Sequence, residues 1–139
     1  MADDMYNFQF QDYSLLSAHF DLNRDFKPGP DVEINTSLAL THDYMDDQNR
    51  LRLFMKVEVT GETAPLNISI EMGSLFIFEK KPAPNELTRV AEINCASILF
   101  PFAREVIADL TRRAGLAPFL IPPVNFVEFY KNNHVDESL

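Results

Sequence analysis

The chain has 139 residues, 46% of them hydrophobic, with 21 acidic against 12 basic side chains and a net charge of −9. That composition predicts one globular domain with a real core. It disfavours nucleic acid as a partner, because phosphate binding needs clustered Lys and Arg. The lone cysteine, Cys95, allows no internal disulfide. The acidic start "MADDMYNFQF" lacks the basic and apolar regions of a signal peptide, and no apolar run reaches the ~18 residues of a membrane helix. A cytoplasmic protein without membrane insertion is the expectation.

Apolar residues recur with a period of two from Phe8 to Leu22, interrupted around Asp12–Leu15, which reads as a long strand with a bulge or bend there. "KPGPD" (27–31) is a loop. Val32, Ile34, Leu38 and Leu40 then alternate with polar residues, and "HDYMDDQN" (42–49) reads as a polar turn. Leu51, Leu53, Met55, Val57 and Val59 form the next alternating set. After "GETAP", Leu66, Ile68, Ile70 and Met72 begin a fourth that runs on into "SLFIFE". One apolar and one polar face per segment, with short connections, predicts an antiparallel meander.

The alternation stops after Glu79, and "KKPAPNELTRVAE" (80–92) reads as a long loop. "SILFPFAREVIADLTRRAG" then turns helical, with Leu99, Phe102, Ala103, Val106 and Leu110 on one face. Pro101 is expected in or just before the first turn, and Gly115 as the left-handed stop. Ile98 and Ile107 add apolar surface outside that face, which suggests a helix buried on several sides within an oligomer. "LAPFLIPPVNFVEFY" (116–130) carries Pro118, Pro122 and Pro123, so its first half can be neither strand nor helix; a short helix from Phe126 to about Asn132 follows. Strands followed by helices give an α+β class.

Chemistry is sparse. His19, His42 and His134 have no Cys or His at metal-ligand spacing. "HDYMDD" reads better as a solvated turn than as a cation site, Cys95 as a small buried thiol, and Glu105 and Asp109 as surface charges beside Arg112 and Arg113. The four glycines are too dispersed for a phosphate loop. No metal, cofactor or enzymatic activity is expected. What is enriched is aromatic, with twelve Phe and four Tyr, and several of these fall outside the sheet pattern.

"INCASILFPFAREVIADLTRRAG" followed by "LAPFLIPPVNFVEFY", together with "EMGSLFIF" and the opening "FQFQ", resembles the SecB protein-export chaperones from about Phe8 to Tyr130. The resemblance implies a single domain over residues 1–139, with its core at about 8–131 and a short acidic tail at 132–139. It implies a four-stranded antiparallel sheet, a long helix and a short C-terminal helix, assembled as a homotetramer, a dimer of dimers. It implies ATP-independent binding of unfolded precursor proteins in apolar grooves, for export through the motor SecA.

The client contacts it implies are Phe76, Phe78, Leu87, Val90, Leu116, Phe119, Leu120, Phe126, Phe129 and Tyr130. Ile68, Ile70 and Met72, with Leu99, Phe102, Val106 and Leu110 of the helix, are the oligomerisation candidates. Asp21 matches a SecA-docking acid, whereas Ser17 and Ser69 stand where further carboxylates are expected, and the tail is short. Some SecB-like proteins instead guard the antitoxin of a toxin–antitoxin system, and these departures are compatible with that role. A small-ligand-binding α+β protein or enzyme, and an adaptor for one folded partner, are the readings from other classes.

Overall fold

The alternating segments pair as one sheet. The computed structural model describes residues 7–134 and contains β1 (Phe8–Leu22), β2 (Asn35–Met45), β3 (Arg50–Thr60) and β4 (Leu66–Phe78). All neighbours are antiparallel. Leu51 lies opposite Phe76, Met55 opposite Met72 and Val57 opposite Ile70, so each pair shares one face. These side chains form the buried core.

The sheet order is β1-β4-β3-β2. β2, β3 and β4 meander as expected, but β1 lies beyond β4 instead of beside β2, which corrects the expectation of a continuous meander. The connection explains it. Residues 23–34 are too long, and with Pro28 and Pro30 too stiff, for a tight hairpin. They cross the end of the sheet, where Asn23 donates to the carbonyls of Pro65 (backbone N, 2.8 Å) and Ala64 (Nδ2, 3.2 Å). Pinning to this turn also delays the start of β2 from Val32 to Asn35.

β1 slips register against β4 twice, between Phe10 and Asp12 and between Leu15 and Ser17. The second slip brings the Leu16 side chain over Gly73, where a Cβ would lie 2.9 Å from Leu16 Cδ1. Gly61 is more constrained still. A Cβ there would meet the Glu33 carbonyl oxygen at 2.1 Å, because the chain entering β2 passes over the β3–β4 turn.

The segment expected to be a loop is largely helical. α1 (Pro84–Arg89) runs through a π-helical turn (Val90–Cys95) into α2 (Ala96–Arg113). Two features conceal this in the sequence. α1 buries none of its residues, so no apolar stripe marks it, and i→i+5 winding breaks the 3.6-residue period where Val90, Ala91 and Cys95 turn inward. Pro101 therefore lies inside the helix and not in its first turn. The buried stripe of α2 is also rotated from the expected one. It runs through Leu99, Ala103, Ile107 and Thr111, while Phe102, Val106 and Leu110 lie half-buried on the flank.

α2 ends at Gly115 (φ 83°), whose conformation lets the amide of Leu116 return to the Thr111 carbonyl at 3.0 Å. An extended linker leads to α3 (Phe126–Asn133), capped by Asn125, whose Oδ1 accepts from the amides of Val127 and Glu128.

Two predictions follow from this packing. Gly61→Ala forces the new methyl onto the Glu33 carbonyl and should cost about 1–3 kcal/mol in urea unfolding. Cys95 is fully buried, and burial pushes its thiol up to about 12 from a usual 9.0. The unfolded chain then loses this proton first, so the thiol's contribution to stability is complete below pH 9 and declines as pH rises toward 12. A disulfide reagent at pH 8 should label Cys95 only after denaturant is added; labelling of the native chain would contradict its placement.

Candidate functional site

An open apolar cavity of about 350 Å³ lies at the end of the sheet. Val59 of β3 and Leu66 and Ile68 of β4 contribute from the sheet, Phe26 and Ile34 from the β1–β2 connection, and Leu116, Ala117, Pro118 and Phe119 from the linker; Pro65 and Thr111 complete it. No titratable side chain lines it. Apolar walls of this kind can hold apolar side chains but offer nothing for acid–base chemistry.

Both walls are irregular backbone, and each is fastened by hydrogen bonds. On one side the Glu33 amide donates to Thr63 Oγ1 (2.8 Å), which donates to the Asp31 carbonyl (2.9 Å). Gly61 N donates to Asn67 Oδ1 at 3.1 Å, holding the turn itself. On the other side the Phe119 amide donates to Thr111 Oγ1 at 2.9 Å. Prolines at 118, 122 and 123 remove amides from the linker, so it needs few partners and cannot be drawn into a strand. Ile121 is buried as its inward anchor, while Leu120 is 64% exposed.

The expected client contacts divide into two groups. Leu116 and Phe119 line the cavity and Leu120 stands exposed beside it. Phe129 and Tyr130 are half-buried on α3, and Leu87 is half-buried on α1. Phe76 (0% exposed), Phe78, Val90 and Phe126 (4%) are core residues, which corrects their assignment as open contacts. Phe76 and Phe78 pack with Phe8, and Phe76 also with Phe10, at centroid distances of 5.0–5.8 Å. Phe126 meets Phe100 edge-on at 5.5 Å and docks α3. The aromatic excess of the sequence is thus spent partly on the interior.

Of the oligomerisation candidates, Ile68, Ile70, Met72 and Leu99 are buried within the subunit. Phe102 stacks on Tyr13 at 4.3 Å, and Val106 and Leu110 remain half-buried. Tyr13, Leu15, Phe20 and Leu22 of β1 are exposed. Their register opposite Ser74, Met72, Ile68 and Leu66 places them on the sheet face that carries α2. Asp21 lies on the opposite face, exposed, with His19 Nε2 2.9 Å from its carboxylate. Ser17 pairs with Glu71 across the strands, and His19 with Ser69.

The other candidate chemistry is accounted for by ordinary contacts. Asp43 pairs with Arg52, and Asp46 with Lys81, which also lies over the Tyr44 ring. Asp109 is held below the usual carboxylate range by the Arg113 guanidinium, with Arg112 assisting. His134 meets Glu92 at 3.0 Å and the Tyr130 ring at 4.3 Å, tying α3 to the π-helical turn. Among the described residues, no group of three His, Cys, Asp or Glu could hold a metal ion, and no helix is long and apolar enough to cross a membrane. Sequence reasoning missed Phe26, Ile34 and Thr111 as groove residues. Phe26 sits in a loop with no periodic signal, Ile34 reads as one more position of the second strand, and Thr111 as one more position of a helix.

Residues 10–137 match the family model described as preprotein translocase subunit SecB. A protein-export protein SecB of Acidithiobacillus ferrooxidans is 31% identical over 112 residues, covering 80% of this chain and 74% of its own. That of Desulfotalea psychrophila is 32% identical over 112 residues, covering 78% and 70%. Among solved structures, a SecB-like chaperone of Mycobacterium tuberculosis, in complex with a ChAD peptide from an antitoxin, shares the fold. Its TM-score is 0.73 at 22% identity, over 84% of this chain and 90% of that one. The fold, the groove beside the proline-broken linker and the match over nearly the whole chain place this protein in the SecB family.

Proposed function

We propose that this chain is an ATP-independent holdase that binds unfolded polypeptides in the groove, works in the cytoplasm as a homotetramer, and keeps precursor proteins competent for export. The observation that carries the reading is the groove itself: an open cavity of about 350 Å³ without a titratable lining residue, in a member of the SecB family. Leu116, Phe119, Leu120, Phe129, Tyr130 and Leu87 are the client contacts under this reading. Apolar burial at about 25 cal/mol per Å² recognises non-native chain without reading its sequence. The exposed apolar residues of β1 and the half-buried flank of α2 are the surface for further copies.

A second reading is a chaperone dedicated to an antitoxin. It is favoured by one solved relative in fold that holds an antitoxin peptide, and by Ser17 and Ser69 standing where the resemblance would give carboxylates, although Glu71 and Glu58 lie across from them on the same face. Direct titration with purified SecA, and separately with an antitoxin's C-terminal peptide, separates the two: micromolar or tighter binding of one alone selects that role.

Native mass spectrometry should give four copies, and a purely monomeric particle would defeat the tetramer. Leu120→Asp alters an exposed side chain and should leave the melting temperature within a few degrees. It should weaken binding of an unfolded client about tenfold or more, the scale of one lost leucine contact. Fluorescence anisotropy with reduced, carboxymethylated α-lactalbumin reads this directly, and unchanged affinity would remove Leu120 from the grip. Phe126→Asp behaves differently. It buries a charge in the α3 dock and should lower stability by about 3–5 kcal/mol in urea unfolding.

A further inference from the structure

We propose that Thr111 is a positioning residue for the groove: its hydroxyl holds the linker wall at Phe119 and so governs the affinity for apolar segments. The proposal deepens the holdase reading and rests on it. Leu99, Ala103, Ile107 and Thr111 follow each other at four-residue steps along the buried stripe of α2. The first three are apolar. By the logic of that stripe the fourth should be apolar too, since a buried hydroxyl is costly unless both its donor and its acceptor are used.

Both are used. Thr111 is 3% exposed, donates from Oγ1 to the Ala108 carbonyl at 2.8 Å and accepts from the Phe119 amide at 2.9 Å. Its own carbonyl takes the Leu116 amide at 3.0 Å and the Ala114 amide at 3.2 Å. One residue therefore receives three amides of the chain leaving α2. Pro118, immediately before Phe119, has no amide to offer, so the Phe119 amide is the tie that turns this stretch back onto the helix. Thr111 is also the one polar side chain among the groove-lining residues. Its hydroxyl proton is committed to the Ala108 carbonyl and one lone pair to the Phe119 amide, so it offers a client no free donor.

Thr111→Val keeps the shape and the packing but orphans the Phe119 amide, which can be satisfied only by water. The linker must then move off α2 and the wall with it. T111V should bind reduced, carboxymethylated α-lactalbumin about tenfold more weakly than wild type, and T111S, which keeps the hydroxyl, within about threefold. Amide exchange at Phe119, followed by NMR, should accelerate in T111V and remain slow in T111S. A packing role alone would give the reverse order, because T111S loses the methyl and T111V does not. Should T111V fail to fold, T111A against T111S makes the same comparison. If wild type binds the probe and T111V binds it equally well, the positioning role falls alone. If wild type does not bind, the holdase reading falls and takes this proposal with it.

Discussion

One helix cannot cover this sheet. β1 is fifteen residues long and α2 eighteen. At about 3.3 Å per residue in a strand against 1.5 Å in a helix, they span roughly 50 Å and 27 Å. The sheet is four strands wide and apolar on the face beneath α2. The helix packs over β3 and β4, where Leu51, Met55, Ile70 and Met72 disappear from solvent. Two regions of the same face lie beyond the helix: the outer part of β1, with Leu15, Phe20 and Leu22 exposed, and the end of the sheet near Val59, Leu66 and Ile68, which the linker and the β1–β2 connection bury. The first is the surface that the proposed tetramer would cover, and the second borders the groove. Both follow from a single shortage of cover.

A groove in that leftover area needs walls that do not collapse into it. Hydrophobic attraction pulls the linker and the β1–β2 connection onto this apolar sheet end. Polar ties oppose this. The β1–β2 connection is held back by Asn23, Thr63 and the close passage of Glu33 over Gly61. The linker is held by Thr111, and its prolines forbid the strand pairing that would otherwise seal the edge. Ile121 inward and Leu120 outward show the compromise within two residues: one anchors the strip and the other stays available.

The sheet was legible because alternation survives any change in connection. All four strands and one interruption of β1 follow from period-two patterning, whereas β1 slips register twice; the short helix from Phe126 was expected after the proline segment. Strand order was not legible, because alternation marks a strand and not the sheet edge that the connection over 23–34 reaches. α1 and the π-helical turn escaped for the same kind of reason: α1 buries nothing, and i→i+5 winding shifts the apolar residues off the expected spacing. At the site, exposure was the missing quantity. Phe76, Phe78 and Phe126 look like Phe119 in a sequence, yet aromatic partners absorb the first three and leave Phe119 on a wall. Leu116 and Phe119 line the cavity and Leu120 is exposed beside it, on a linker whose prolines keep it out of any regular element.

An exposed greasy surface ordinarily aggregates, and the charge distribution shows how this chain contains the risk. The net charge of −9 sets molecules apart at long range. β1, the edge strand with the most exposed apolar residues, carries Asp12, Ser14, Ser17, His19 and Asp21 on its other face, where Leu16 over Gly73 is the exposed apolar exception, so that face is mostly polar. The groove walls are curved and irregular, unlike the flat edge that templates strand addition. An unfolded client differs from a second copy of this chain in one physical respect: it can thread single apolar side chains past the linker. A folded subunit of equal hydrophobicity has its own side chains committed. Selectivity for the non-native state can thus arise from the shape of the opening, without any chemical reading of the client.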